Sequence, residues 1–153
     1  MEMSGQRQIA AEPAAVWARL NDAGTLKASI PGCTELTGNP DEGFEATVVQ
    51  KIGPVKATFR GRVTLSDIVA GESYTLTGEG SGGVAGFARG SARVRLAPAD
   101  GGTTLDYDVT AAVGGKIAQL GARLIDGFAR KVADQFFERF QAAVEGKAPD
   151  APA

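Results

Sequence analysis

The chain has 153 residues, enough for one domain with a usable core. Its 16 basic and 18 acidic residues leave a net charge of −2, and without a dense basic stripe this argues against nucleic acid as the main partner. Histidine is absent and Cys33 is the only cysteine, which excludes Ser-His-Asp and Cys-His nucleophile systems, histidine metal sites and an intrachain disulfide.

The opening residues, Met1 to Arg7, contain no apolar signal-peptide core, and no apolar run approaches the roughly 20 residues that span a bilayer. The expectation is a cytoplasmic, soluble protein in a reducing compartment, peripheral at most to the cytoplasmic face of the inner membrane. Residues 3 to 11 read as a first strand with Ile9 and Ala11 on one face. Glu12-Pro13 starts a short helix, where proline's missing N–H costs nothing. Val16, Trp17 and Leu20 form its apolar face, with core packing the default role for Trp17. A second short helix, roughly Gly24 to Ser29, stops before Ile30-Pro31-Gly32 because a residue preceding proline disfavours the helical region.

From Cys33 the hydrophobic period changes to 2. Leu36 lies in a short strand that turns at Gly38–Gly43. Phe44, Ala46, Val48, Gln50 and Ile52 alternate on the next, and Gly53-Pro54 turns the chain again. Val55, Ala57, Phe59, Gly61, Val63 and Leu65 then share one face while Lys56, Arg60 and Arg62 share the other. This is the pattern of an antiparallel sheet with one buried and one wet face. Tyr74, Leu76, Gly78 and Gly80 follow the turn at 71 to 73. A strand from Val84 to Leu96 directs Ala88, Ala92 and Val94 inward and Arg89, Arg93 and Arg95 outward. After the turn at Pro98–Gly102, Leu105, Tyr107, Val109, Ala111 and Val113 face in. Asp106 and Asp108 face out, opposite the arginines, as a solvated ladder that sets register. The glycines of 78 to 83 open no helix, so a dinucleotide loop is excluded by context.

The last element is the longest. Leu120, Leu124, Phe128, Val132, Phe136, Phe140 and Val144 recur every four residues, predicting one helix from Lys116 to Glu145, roughly 45 Å long. Its first half is thinned by Gly121, Ala122, Gly127 and Ala129. Glycine inside a helix costs about 1 kcal/mol relative to alanine. Either close contact with a strand or space for a ligand accounts for it. Domain boundaries follow: residues 1–146 form the domain and 147–153 a flexible C-terminal tail.

Three stretches carry a resemblance: Ile30-Pro31-Gly32-Cys33; Val55-Lys56-Ala57-Thr58-Phe59-Arg60-Gly61 with Gly78-Glu79-Gly80 and Gly86-Phe87-Ala88-Arg89-Gly90; and Gly114-Gly115-Lys116-Ile117-Ala118-Gln119-Leu120-Gly121, continued by Ala133-Asp134-Gln135-Phe136-Phe137. They resemble the carbon monoxide dehydrogenase G-subunit family of the START-like, or helix-grip, superfamily, over residues 3 to 146. The resemblance implies an α+β fold in which a curved seven-stranded antiparallel sheet wraps a long C-terminal helix, with two short helices after the first strand. It implies a non-catalytic accessory protein of an aerobic molybdenum-containing carbon monoxide dehydrogenase or related hydroxylase. Such a protein binds an isoprenoid quinone or lipid in an internal cavity and links the enzyme to the membrane. Some members carry a hydrophobic C-terminal extension; this sequence ends soon after its helix, so transient membrane contact is the expectation.

No catalytic residue, metal ligand or tightly bound cofactor is expected. The ligand-binding candidates are Val48, Phe59, Tyr74, Phe87, Tyr107, Leu120, Gly121, Leu124 and Phe128. Phe87 interrupts the alternation beside Gly86 and reads either as a cavity lip or as a docking aromatic. Two other readings stay open. One is an assembly or recruitment factor without a physiological ligand. The other is a helix-grip enzyme of cyclase or hydrolase type, for which Tyr74, Tyr107, Gln50 and Glu79 are the suggestive polar groups, Glu79 on the outer face.

Overall fold

The computed structural model describes residues 1–146; the expected tail, 147–153, lies outside the described residues. The chain begins with β1 (Glu2–Ile9), followed by α1 (Pro13–Leu20) and α2 (Ala23–Ser29). Six strands follow: β2 (Cys33–Asn39), β3 (Gly43–Ile52), β4 (Val55–Val69), β5 (Ser73–Ser81), β6 (Phe87–Ala99) and β7 (Gly102–Gly114). The last element is α3 (Ala122–Glu145). All strands join one antiparallel sheet in the order β1-β7-β6-β5-β4-β3-β2. Consecutive strands from β2 to β7 are hairpin neighbours, and β1 closes the far edge against β7. The sheet curves, and α1, α2 and α3 cover its concave face.

Local chemistry sets the two short helices. Pro13 occupies the first turn of α1, where no intrahelical N–H is needed. Asp22 caps α2, its Oδ2 accepting from the Thr25 backbone N–H at 2.9 Å and from the Thr25 hydroxyl at 2.6 Å. The alternation expected on β6 and β7 is realised, with Arg93 opposite Asp108 and Arg95 opposite Asp106 in register. The ion pair formed is the diagonal one, Arg95 to Asp108 at 2.7 Å. Asp106 instead accepts from Gln6 of β1.

Two expectations are corrected. The strand expected from Val84 begins only at Phe87, because Gly83–Ala85 forms a 3-10 turn that leaves Val84 94% exposed. The helix expected from Lys116 is also not continuous. Lys116–Leu120 is a 3-10 turn and α3 starts at Ala122, which shortens it to 24 residues, roughly 36 Å. The break is Gly121, whose φ of 94° and ψ of 152° lie where a residue with a Cβ is strained. Nothing lies within 4 Å of a Cβ built at Gly121 or at Gly127. Close helix–strand contact is therefore not the reason for either glycine.

A sealed core occupies the end of the sheet where β1, β6 and β7 meet α1 and the second half of α3. Ile9, Val16, Leu105 and Phe140 are each 2% exposed or less. Phe136 stacks on Phe140 at 5.6 Å between centroids, and Phe137 stacks on Tyr107 at 5.1 Å. Such ring pairs add to area burial and anchor the C-terminal half of α3. The N-terminal half spans the sheet with smaller side chains, and the space beneath it is not filled.

Candidate functional site

That space is a cavity of about 530 Å³ between the concave sheet and the helices, within the range of small-molecule sites, roughly 300–1,000 Å³. Its floor comes from alternate inward positions of the middle strands, with Phe44, Ala46, Val63, Leu65, Leu76 and Ala92 as representative contributors. Leu26, Ile30 and Pro31 close one side from α2 and its C-terminal end. The roof is one face of α3: Ile125, Phe128, Ala129, Val132, Ala133 and Phe136 recur at spacings of 3, 1, 3, 1 and 3, a single helical stripe. Ala129 and Ala133 are the low points of that roof. Every lining side chain is uncharged, and only Tyr74 and Tyr107 carry a polar oxygen.

The two tyrosines differ. Tyr107 on β7 faces Gly5 on β1, and a Cβ at position 5 would overlap its ring and hydroxyl. Glycine is thus required there for close approach. The hydroxyl end of Tyr107 interacts with Arg7. Arg7 in turn holds Asp134 of α3 and sits 5.2 Å over the Phe137 ring. Tyr74 on β5 is 3% exposed and meets Trp17 edge-on at 5.3 Å and 86°. Burial pushes its phenol pKa well above the ordinary tyrosine value, so the group stays protonated.

Of the sequence-predicted ligand residues, the structure brings Tyr74, Tyr107 and Phe128 together in the cavity lining. Val48 and Phe59 pair across β3 and β4, half-buried, outside that lining. Leu120 and Leu124 lie against Gly53 in the turn between β3 and β4, and Leu124 is 38% exposed. Gly121 is exposed between them. The turn at Gly121 removes this segment from the helical stripe, so the helical lining starts at Ile125. Phe87 packs over Gly114 and borders a charged depression on the convex face with Arg60, Glu79 and Arg89. It is therefore not a cavity lip.

Other polar candidates also fall outside. The Gln50 side chain donates to the Pro31 carbonyl, and Glu79 lies on the outer face between Arg62 and Arg89 in register. Cys33 is half-buried, and that burial raises its thiol pKa, which disfavours the reactive thiolate. Sequence reasoning missed the contributions of Met1 and Met3 and those of Leu26 and Ile30. The methionines were legible as period-2 partners of Ile9. The α2 residues carry no signal that distinguishes them from ordinary core.

Among the described residues no group of three or more acidic, cysteine or histidine side chains could hold a metal ion. No helix among them is long and apolar enough to cross a membrane.

A curved antiparallel sheet gripping a C-terminal helix over an apolar cavity defines the helix-grip class of fold. The chain belongs to the CoxG family, named for the G subunit of carbon monoxide dehydrogenase, whose model matches residues 5–145. Among solved structures it is similar to a conserved protein from Geobacillus kaustophilus, with 28% identity and a TM-score of 0.88 over 95% of this chain and 96% of that one. TTHA0849 from Thermus thermophilus has 15% identity and a TM-score of 0.69, covering 95% and 98%. Ara h 8.0201 has 17% identity and a TM-score of 0.64, covering 96% and 99%. These last two share the fold alone. No curated protein matches the chain.

Proposed function

We propose that this protein is a non-catalytic accessory subunit that binds a long apolar molecule, an isoprenoid quinone or a neutral lipid, in the cavity under α3. In this reading it serves an aerobic molybdenum-containing carbon monoxide dehydrogenase or a related hydroxylase and links that enzyme to the cytoplasmic face of the membrane. The observation that carries the reading is the cavity of about 530 Å³ without a charged lining side chain, in a chain of the CoxG family. An unfilled apolar space loses dispersion contacts, while an apolar ligand buries surface at about 25 cal/mol per Å².

Membrane contact is supported by one end of the molecule. Gly53 lies against Leu120 and Leu124, which joins the β3–β4 turn to the segment before α3. Exposed on these segments are Lys51, Lys56, Lys116 and Arg123 beside the exposed Pro54 and Leu124. Cations around a small apolar knob suit an anionic surface.

The test is organic extraction of the purified protein and mass spectrometry of the extract. A single neutral apolar species near one per chain supports the reading. An extract holding none, from a protein that also fails to take up added quinone or neutral lipid, ends it. Gel filtration with purified molybdenum carbon monoxide dehydrogenase tests the partner, with co-elution expected.

A further inference from the structure

Two side-chain oxygens interrupt the apolar lining, on Tyr74 and Tyr107. Tyr74 is 3% exposed and lines the cavity. Among the described residues its hydroxyl has no hydrogen-bond partner, and burial is the sole influence on its ionisation. It is also not sealed in: Asn21 Oδ1 is the one fully enclosed side-chain oxygen or nitrogen without a partner among the described residues. The other oxygen in the lining, on Tyr107, lies beside the Arg7 guanidinium. A largely buried hydroxyl without a protein partner has lost most of its hydration, and a suitable ligand acceptor replaces it.

We infer that Tyr74 is the positioning hydrogen-bond donor of the cavity, and that its ligand class is a long apolar molecule bearing a neutral oxygen acceptor, such as a quinone, ketone or ester carbonyl. The inference rests on the apolar-ligand reading and narrows it. Chemistry disfavours the main alternative head group. A carboxylate or phosphate at this position would be buried with no cationic side chain in the lining; the Met1 ammonium is held by the Ala111 carbonyl at 2.9 Å, further along β7 than the Tyr107 that stands level with Tyr74, and an uncompensated buried charge is far more costly than a carbonyl. Free fatty acids and phospholipid head groups are therefore disfavoured at Tyr74.

Position also gives orientation. Tyr74 stands beside the sealed core, against Trp17 and opposite Val94 in register. The cavity runs from there toward Ile52, Val113 and Ile117 at the other end of the sheet. The oxygen-bearing head lies against Tyr74 and the hydrocarbon tail extends toward Ile117.

The test compares two probes of one shape, 2-methyl-3-prenyl-1,4-naphthoquinone and 2-methyl-3-prenylnaphthalene, on the full chain and on Tyr74→Phe. Loss of one neutral hydrogen bond predicts about three- to tenfold weaker naphthoquinone binding by the variant. Hydrocarbon binding is expected to be unchanged or slightly tighter. The carbonyl stretch of the naphthoquinone bound to the unmodified chain is expected at lower frequency than in hexane. That second measurement does not depend on the variant folding. Equal naphthoquinone affinity in both chains, or an unshifted carbonyl stretch, overturns the Tyr74 assignment while leaving the cavity reading intact. Hydrocarbon binding without naphthoquinone binding also overturns it. Failure of the unmodified chain to bind either probe overturns both.

Discussion

Tyr74 sits where a phenolate has no compensation, since burial alone raises its pKa. Unfolded tyrosine ionises near pH 10. Above that pH the unfolded state releases a proton that the folded state keeps, so stability present below about pH 10 is lost as pH rises. The slope for one such group is about 1.4 kcal/mol per pH unit. Urea unfolding at pH 9, 10 and 11 should show this component in the unmodified chain and its absence in Tyr74→Phe; parallel pH profiles would contradict it. Two glycines make a second residue-scale comparison. Gly121→Ala puts a Cβ on a backbone with φ of 94° and is expected to cost about 1–3 kcal/mol. Gly127→Ala lies inside α3 with open space around it and should stabilise by about 0.5–1 kcal/mol. Melting temperatures that move in the same direction would refute the assignment. In the sequence these glycines were indistinguishable, because the four-residue leucine and phenylalanine period runs through both. Periodicity reports which faces are apolar but not the sign of φ. That is why Leu120 and Leu124 were legible as apolar and not as lying outside the cavity. Tyr74 and Tyr107 were legible because each is a polar-tipped residue at an inward strand position.

At the scale of elements, α3 does two jobs with its two halves. Phe136, Phe137 and Phe140 stack it onto the sealed core, while Ala129 and Ala133 keep the roof high over the cavity. Ala133→Leu places three more carbons into that space. The expected result is an apo protein as stable as, or up to about 2 kcal/mol more stable than, the parent, with at least tenfold weaker naphthoquinone binding. Destabilisation with binding retained would mean that Ala133 is packed rather than open. The strand order was readable from period-2 alternation and turn residues, since a one-residue slip would turn every inward side chain to solvent. How α2 sits over the cavity was not readable, because its few apolar residues fit any core. Its placement depends on a cap. The Thr25 hydroxyl, and then the Thr25 backbone N–H, hold the Asp22 carboxyl below the usual carboxylate range. The contribution is present above about pH 4 and lost as pH falls through the lowered folded value. Asp22→Ala should therefore melt roughly 2–6 °C lower at pH 7, with the difference shrinking toward pH 2. A difference that grows in acid would rule out the cap as its cause.

For the whole molecule, the balance is between a net charge of −2 and a local cluster of cations. A uniformly anionic protein is repelled by an anionic membrane. Lys51 and Lys56, which pair across the β3–β4 turn, together with Lys116 and Arg123 leave one end basic. A juxtamembrane cation contributes about 1 kcal/mol near an anionic surface, and its field fades within a Debye length of roughly 10 Å in 0.1 M salt. Four such charges with a small exposed apolar knob predict weak, orientation-specific and salt-sensitive binding. The cavity end near Ile117 would then face the bilayer and the Tyr74 end would face away, so that a bound molecule leaves tail first. Sedimentation with vesicles containing 30% phosphatidylglycerol, a fraction chosen for the assay, should pull down a minor fraction of the protein at low salt and little at high salt. Lys51→Glu with Lys56→Glu should abolish the low-salt fraction without changing naphthoquinone affinity in solution. Equal binding to pure phosphatidylcholine vesicles, or retention through a high-salt wash, would replace the electrostatic contact with a hydrophobic one. If the double variant binds vesicles normally, the membrane-facing end is not the one formed by the β3–β4 turn.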